Sequence, residues 1–201
     1  MTEKVLRIIS SPRGEASMSI KLGNKVVEKI KEKYPDSIVK ERNLAKTLFP
    51  YLEEVHIGSF YTPTESHTTE QAEAIKHSDE AIAELQEADI IVIDAPMYNF
   101  SIPAVLKSYI DHITRAGVTF RYSEKGPEGL LKNKKAYIAS TSSGVYSEGA
   151  YQAFDFAVPY MKSILGLIGI TDVTVFRAEG LNVQGIKETA LQKGLESVVI
   201  I

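Results

Sequence analysis

The sequence predicts a three-layer, doubly wound α/β fold: a five-stranded parallel sheet with helices on both faces. Three observations predict it. Strand and helix signals alternate along the 201 residues, as successive βαβ units require. Ile90-Ile91-Val92-Ile93 is a short unbroken apolar run, as expected of a strand covered on both faces. Loops rich in hydroxyls and amides follow the strands, at the carboxyl edge where open α/β sheets bind ligands.

The elements follow in order. Val5-Leu6-Arg7-Ile8-Ile9 reads as the first strand. Ser17 to Tyr34 reads as a helix with Ile20, Val26, Val27, Ile30 and Tyr34 near one face, closed by Pro35. Ser37 to Arg42 is a short second strand. Residues 44–69 form a long connection with no clear period, which is usually functional or mobile. Phe49, Tyr51, Leu52, Phe60 and Tyr61 make it too apolar for a free linker. Glu70 to Ala88 is a helix, and Thr68-Thr69-Glu70-Gln71 before it has the spacing of a capping box. Ile90 to Ala95 is the third strand. Ile102 to Ala116 is a helix with Val105, Leu106, Tyr109, Ile110 and Ile113 inward, Ser101 as its cap and Pro103 in its first turn. Residues 115–130 read as an irregular connection, since Gly117 ends the helix and Gly126-Pro127 and Gly129 force turns. Lys135 to Ser140 is the fourth strand, Ala150 to Gly169 a helix and Val173 to Phe176 the fifth strand. The last helix starts near Gly185 and carries Ile186, Leu191, Leu195 and Val198 inward. No repeat or low-complexity tract interrupts the chain, so residues 1–201 read as one domain.

Composition excludes several classes. With 23 basic and 26 acidic residues the formal charge is −3, and no basic stripe is present, so nucleic acid is not expected as a partner. No apolar window approaches the ~18 residues of a membrane span. Met1-Thr2-Glu3-Lys4 runs straight into a strand without a signal peptide, so a cytoplasmic location is expected. The chain has no cysteine, which removes disulfides, thiolate catalysis and cysteine-held metals or clusters. Its four histidines, His56, His67, His77 and His112, are scattered, and no compact His/Asp/Glu cluster suggests a metal.

Three loops converge on the predicted carboxyl edge. The first runs from Ser10 to Ser19 and feeds a helix N-terminus, whose free N–H groups and dipole suit an anion. Ser11, Ser17 and Ser19 add hydroxyls and Arg13 adds charge. The central loop, Ala95-Pro96-Met97-Tyr98-Asn99-Phe100-Ser101-Ile102-Pro103, combines flat apolar rings, a short amide and backbone donors, a mixture suited to a flat ring edged with heteroatoms. The loop Ser140-Thr141-Ser142-Ser143-Gly144-Val145-Tyr146 is small and polar. Phosphate on the first loop and a planar head on the other two describe a mononucleotide, and FMN satisfies that description. Phe120 and Tyr122, two apart in an extended segment, share a face. They are candidate substrate-binding residues, Tyr122 as a pocket wall and Phe120 with the more core-like environment.

At these residues the chain resembles the FMN-dependent NADH-azoreductases, also described as NADH:quinone oxidoreductases. The resemblance rests on Pro96-Met97-Tyr98-Asn99-Phe100, Arg115-Ala116-Gly117-Val118-Thr119-Phe120-Arg121-Tyr122, Gly126-Pro127-Glu128-Gly129-Leu130 and Leu165-Gly166-Leu167-Ile168-Gly169-Ile170-Thr171-Asp172. It covers nearly the whole chain. It implies a flavodoxin-like fold with strand order 2-1-3-4-5 and a homodimer whose two subunits line each site. It implies that Ser11, Ser17, Met18 and Ser19 hold the FMN phosphate, that Pro96, Met97, Tyr98, Asn99 and Phe100 pack on and hydrogen-bond the isoalloxazine, and that Thr141, Ser142, Ser143 and Gly144 reach its pyrimidine edge. Some relatives carry Ser-Arg-Gly-Gly at that last position, so Ser143 replaces a glycine and an arginine is missing. A histidine just beyond it is Tyr146 here, which leaves no proton-transfer role to assign.

The implied reaction is a ping-pong cycle in which NADH or NADPH reduces the flavin and a quinone or aromatic azo compound then takes up two electrons. The flavin carries that chemistry, so no side chain is assigned a catalytic role. Two other functions suit the same fold: a flavodoxin-type electron carrier, for which −3 is a mild surface charge, and a phosphodiesterase acting on carrier-protein prosthetic groups, for which a metal cluster or activated nucleophile is wanting.

Overall fold

The computed structural model describes residues 2–200; Met1 and Ile201, the ends of the expected 1–201 domain, lie outside the described residues. Its strands in chain order are β1 (Lys4–Ile9), β2 (Ile38–Asn43), β3 (Ile90–Pro96), β4 (Phe120–Ser123), β5 (Gly126–Gly129), β6 (Lys135–Thr141) and β7 (Asp172–Ala178). Five of them form one parallel sheet in the order β2-β1-β3-β6-β7. The expected order 2-1-3-4-5 is corrected because β4 and β5 intervene in the chain as a separate antiparallel hairpin. Four residues per strand and a Gly-Pro-Glu-Gly second strand carry little β signal. Instead, the Arg121 guanidinium donates to Glu128 across the pair, and Gly129 packs directly on the backbone of Ile168 and Gly169, where a Cβ would not fit.

The helices are α1 (Met18–Lys33), α2 (Glu54–Tyr61), α3 (Thr69–Ala74), α4 (Lys76–Glu87), α5 (Ala104–Ile113), α6 (Val158–Ile168) and α7 (Lys187–Glu196). The capping box at Thr68 and Gln71 forms as expected. Four boundaries depart from expectation. Helix α2 lies inside the supposedly aperiodic 44–69 connection; it is only eight residues long and weakly amphipathic. The 70–88 helix breaks at Ile75 into α3 and α4. Ser101 does not cap α5, because its backbone pairs with Tyr98 and Pro103 takes the cap position. The 150–169 helix begins only at Val158, preceded by a 3-10 turn over Gly149–Phe154. Gly169 closes α6 in the left-handed conformation, at φ 104, which a glycine adopts without steric cost.

Alternating side chains of the central strands feed two cores. Leu6, Ile8, Ile91 and Ile93 pack with α4, α5 and α6, whereas Val5, Ile90 and Val92 pack with α1 and α7. Beneath α1 the second core holds an ion pair. Arg7 on β1 donates to Asp94 Oδ2 on β3 at 2.7 Å and to the Ile20 carbonyl of α1 at 3.0 Å. Burial raises the Asp94 carboxyl, to about 7, against the pull of Arg7. Gly23 lies so close to this carboxylate that a Cβ would clash with it, which is why a glycine stands in mid-helix despite its entropic cost. The pair thus fixes the height of α1, and with it the position of the α1 N-terminus at the sheet edge. No helix among the described residues is long and apolar enough to cross a membrane.

Candidate functional site

Between β1 and β3 the strand order reverses direction, and the crevice beyond their carboxyl ends is where doubly wound sheets bind ligands. A cleft of about 80 Å³ sits there, lined by Ser11, Arg13, Ser17 and Met18 of the first loop, Pro96, Met97 and Tyr98 of the central loop, and Thr141, Ser142 and Ser143 of the loop after β6. The three loops that the sequence places on one edge therefore meet. No carboxylate lines the cleft, and Arg13 brings a cation to it.

The first loop ends in α1. Ser17 is its N-cap, accepting the Ile20 N–H at 3.4 Å, and its hydroxyl lies 3.0 Å from that of Ser19. The amides of Met18 and Ser19 have no acceptor among the described residues, as the first turn of a helix dictates. They are ready donors for an anion. Ser19 itself is fully buried and does not reach the cleft. Ser11 does, and its hydroxyl accepts only the Arg13 N–H, at 3.4 Å.

The central loop is a two-residue hairpin. Ser101 N–H donates to the Tyr98 carbonyl at 3.0 Å and Tyr98 N–H to the Ser101 carbonyl at 2.9 Å. Asn99 and Phe100 between them have φ of 50 and 69, the signs a type I′ turn requires. Asparagine tolerates this region and phenylalanine does not favour it, so the turn is strained at Phe100. Neither central N–H finds an acceptor among the described residues. Two backbone donors are thus presented beside the rings of Tyr98 and Phe100, both substantially exposed.

The loop after β6 is held by the loop after β7. Gly180, Leu181 and Asn182 donate their N–H groups to the carbonyls of Gly144, Ser142 and Ser143 at 2.9, 3.2 and 2.9 Å. This brings Leu181 into the cleft, a residue that nothing in the sequence singles out, because its position depends on loop-to-loop pairing. Ser143 keeps φ outside the left-handed region, so no backbone strain arises from a side chain there. Gly144 is not on the cleft; the Tyr146 ring lies against it.

At Tyr98 the cleft meets a larger groove of about 810 Å³ between α5 and α6, lined by Asn99, Ser101, Lys107, Phe156 and Tyr160 among others. Lys107 is paired with Asp111 at 2.5 Å. Burial pushes the Tyr160 hydroxyl up to about 12, so it stays protonated. Phe120 and Tyr122 reach neither cavity. Phe120 is 7% exposed and packs edge-on to Tyr122, which is 77% exposed. Their hairpin follows the end of α5 and leads to the start of β6, so its base lies toward the amino edge of the sheet.

FMN fits the residues present. The small polar cleft, with free helix amides, hydroxyls and Arg13, suits a phosphate end, and the exposed rings and unpaired N–H groups of the central turn suit a planar heteroaromatic head. No group of three or more potential metal ligands occurs among the described residues.

Residues 3–199 match a family described by its flavodoxin-like fold. The chain is 49% identical over 178 residues to an FMN-dependent NADH:quinone oxidoreductase of Herminiimonas arsenicoxydans, covering 89% of this chain and 87% of that protein. It is 42% identical to FMN-dependent NADH:quinone oxidoreductase 6 of Burkholderia lata, over 97% of both chains. Among solved structures, an azoreductase from Bacillus anthracis str. Sterne superposes with a TM-score of 0.90 at 36% identity, covering 98% of this chain and 96% of the other. An FMN-dependent NADH-azoreductase from Bacillus anthracis str. Ames Ancestor, in complex with FMN, superposes with a TM-score of 0.86 at 27% identity, covering 96% and 95%.

Proposed function

The chain belongs to the flavodoxin-like family of FMN-dependent NADH:quinone oxidoreductases and azoreductases, and from that premise we propose that it binds FMN, takes electrons from NADH or NADPH and reduces quinones and aromatic azo compounds. The observation that carries this reading is the Tyr98–Ser101 turn: it presents two N–H groups with no acceptor among the described residues next to Tyr98, the residue that lines both the phosphate-suited cleft and the larger groove.

When bound, FMN supplies a two-electron store that accepts hydride and passes it on. The protein's part is positional. The Met18 amide, the Ser11 hydroxyl and Arg13 would hold the phosphate, with Ser17 and Ser19 shaping that helix end. Pro96, Met97 and Tyr98 would pack on the ring, the N–H groups of Asn99 and Phe100 would be its hydrogen-bond donors, and Thr141, Ser142 and Ser143 would line the remaining wall, with Gly144 behind them. No side chain is required as nucleophile, and no acid or base is assigned.

The chain acts as one cytoplasmic domain and pairs as a homodimer. Leu48, Tyr51, Leu52, Ile57 and Tyr61 are all exposed within one stretch of chain, and grouped exposed apolar side chains are the usual mark of an interface. Helix α5, the 44–69 segment and α6 supply the two-fold patch. Tyr122, which lines neither cavity of its own protomer, borders the acceptor site of the partner, with Phe120 supporting it. A steady-state screen of NADH and NADPH against quinones and azo dyes tests the activity. Turnover with a quinone or azo dye supports it, and NADH oxidation that no acceptor stimulates overturns it. A pure electron carrier would show that second result.

A further inference from the structure

Phe100 holds φ at 69, and a bulky residue stays in that region only when its surroundings fix it. They do so from two directions. The Phe100 carbonyl accepts the Phe156 N–H at 3.0 Å. Its ring meets the Phe154 ring at 5.4 Å on one side and the Tyr146 ring at 6.0 Å on another. Phe154 and Phe156 belong to the segment entering α6, and Tyr146 to the loop after β6.

Both segments hang from one guanidinium on β7. Arg177 Nη2 donates to Asp155 Oδ2 at 2.9 Å, and Asp155 Oδ1 accepts the Ala157 and Val158 N–H groups at 3.1 and 3.0 Å. Arg177 Nη1 donates to Glu179 Oε1 at 3.0 Å, and the same oxygen accepts the Tyr146 N–H at 3.1 Å. The side chains of Asp155 and Glu179 are only 5% and 10% exposed. Sequestered carboxylates need their partner, and each partner nitrogen is on the same fork. Lysine, with a single ammonium point, does not span two carboxylates in this way.

We propose that Arg177 is a positioning residue: through Asp155 and Glu179 it clamps Phe100 from both sides and so sets the direction of the Asn99 and Phe100 N–H groups toward the flavin. This rests on the FMN reading above. It assigns to β7, which supplies no ligand-facing group in that reading, control over the central turn.

The test compares Arg177→Met and Arg177→Lys with the wild type. In ligand-free protein, the Phe156 and Tyr146 amides should exchange with solvent about tenfold or more faster in Arg177→Met, as local opening becomes easier. With FMN bound, the flavin midpoint potential should shift and KM for a quinone should rise while KM for NADH changes less. Arg177→Lys should fall between the two. A lower Tm with wild-type amide exchange and wild-type potential would overturn the proposal, since that is what a merely structural ion pair predicts. Should Arg177→Met not fold, Glu179→Gln carries the same comparison on one arm: it keeps an oxygen for the Tyr146 N–H and gives up the charge. If the wild-type chain takes up no FMN, the reading beneath fails and the claim about the flavin fails with it. Amide exchange then still decides whether Arg177 holds the clamp.

Discussion

Two residues carry the site at the scale of single residues. Asn99 sits at φ 50 in a turn whose neighbour is also left-handed. Asn99→Gly keeps that backbone and its N–H donor, so both Tm and the flavin potential should stay near the wild type. Asn99→Val should instead lose roughly 1–2 kcal/mol of stability, the cost of a side chain in the left-handed region. Thermal unfolding and potentiometry separate the two. Ser11 is the cleaner probe of the phosphate end, because Ser17 also caps α1 and Ser19 is buried away from the cleft. A hydrogen bond to a charged group contributes about 1.5–3 kcal/mol, so Ser11→Ala should weaken FMN roughly ten- to a hundredfold by fluorescence titration, with Tm of the ligand-free protein unchanged. At this scale the sequence was readable where chemistry is unusual for its place, as in the amide between two rings at 98–100. It was silent on Leu181, Asp155 and Arg177, whose roles arise only when distant loops meet.

The 44–69 segment shows how an element without a period is still fixed. Phe49 is buried edge-on against Tyr109 of α5, at 5.2 Å. His112 Nε2 lies 3.0 Å from the Pro50 carbonyl, and the His112 ring meets His56 of α2 at 5.1 Å. The Arg115 guanidinium covers Phe60 at 4.8 Å. With Nε2 donating to Pro50, His112 Nδ1 is left buried without a partner among the described residues, so protonation there is unfavourable. Burial chiefly lowers the His112 pKa, with His56 and His77 adding to it and the Pro50 bond and Asp111 opposing it. Below the ordinary value of 6.5 the unfolded chain therefore binds more protons than the folded one, and stability falls as pH falls. Tm should drop between about pH 7 and about pH 5, and His112→Phe should show a shallower slope from a lower starting Tm. Aromatic content marked this segment as packed, but helix α2 escaped notice because eight residues with Gly58 in the middle carry too little amphipathic signal. Hairpin β4–β5 escaped for a similar reason, being held by Arg121–Glu128 and by close backbone contact rather than by β-branched residues.

Across the whole molecule, alternating strand and helix signals were enough to place three loops on one edge, because a right-handed parallel sheet leaves its strand ends little choice. The same logic explains what they did not place. Tyr122 lies on a hairpin whose base is toward the other edge and lines neither cavity, so its proposed place at the acceptor site depends on the proposed pairing. The exposed apolar surface of the 44–61 stretch and the 810 Å³ groove beside the central turn are the surfaces such a pairing would use. A chain of 22.2 kDa should scatter light as twice that mass. A monomer fully active at high dilution would contradict the shared site. The central claim, that this sheet edge holds FMN as a carrier of electrons from nicotinamide to acceptor, is tested most directly by one anaerobic titration. Purified protein is loaded with FMN, freed of excess and followed by its visible spectrum as NADH is added, then as a quinone is added. The account predicts a yellow protein that bleaches with about one equivalent of NADH per flavin and recovers its colour with about one equivalent of quinone, as a two-electron store must. A protein that retains no FMN, or whose bound flavin keeps its colour in the presence of NADH, would contradict it.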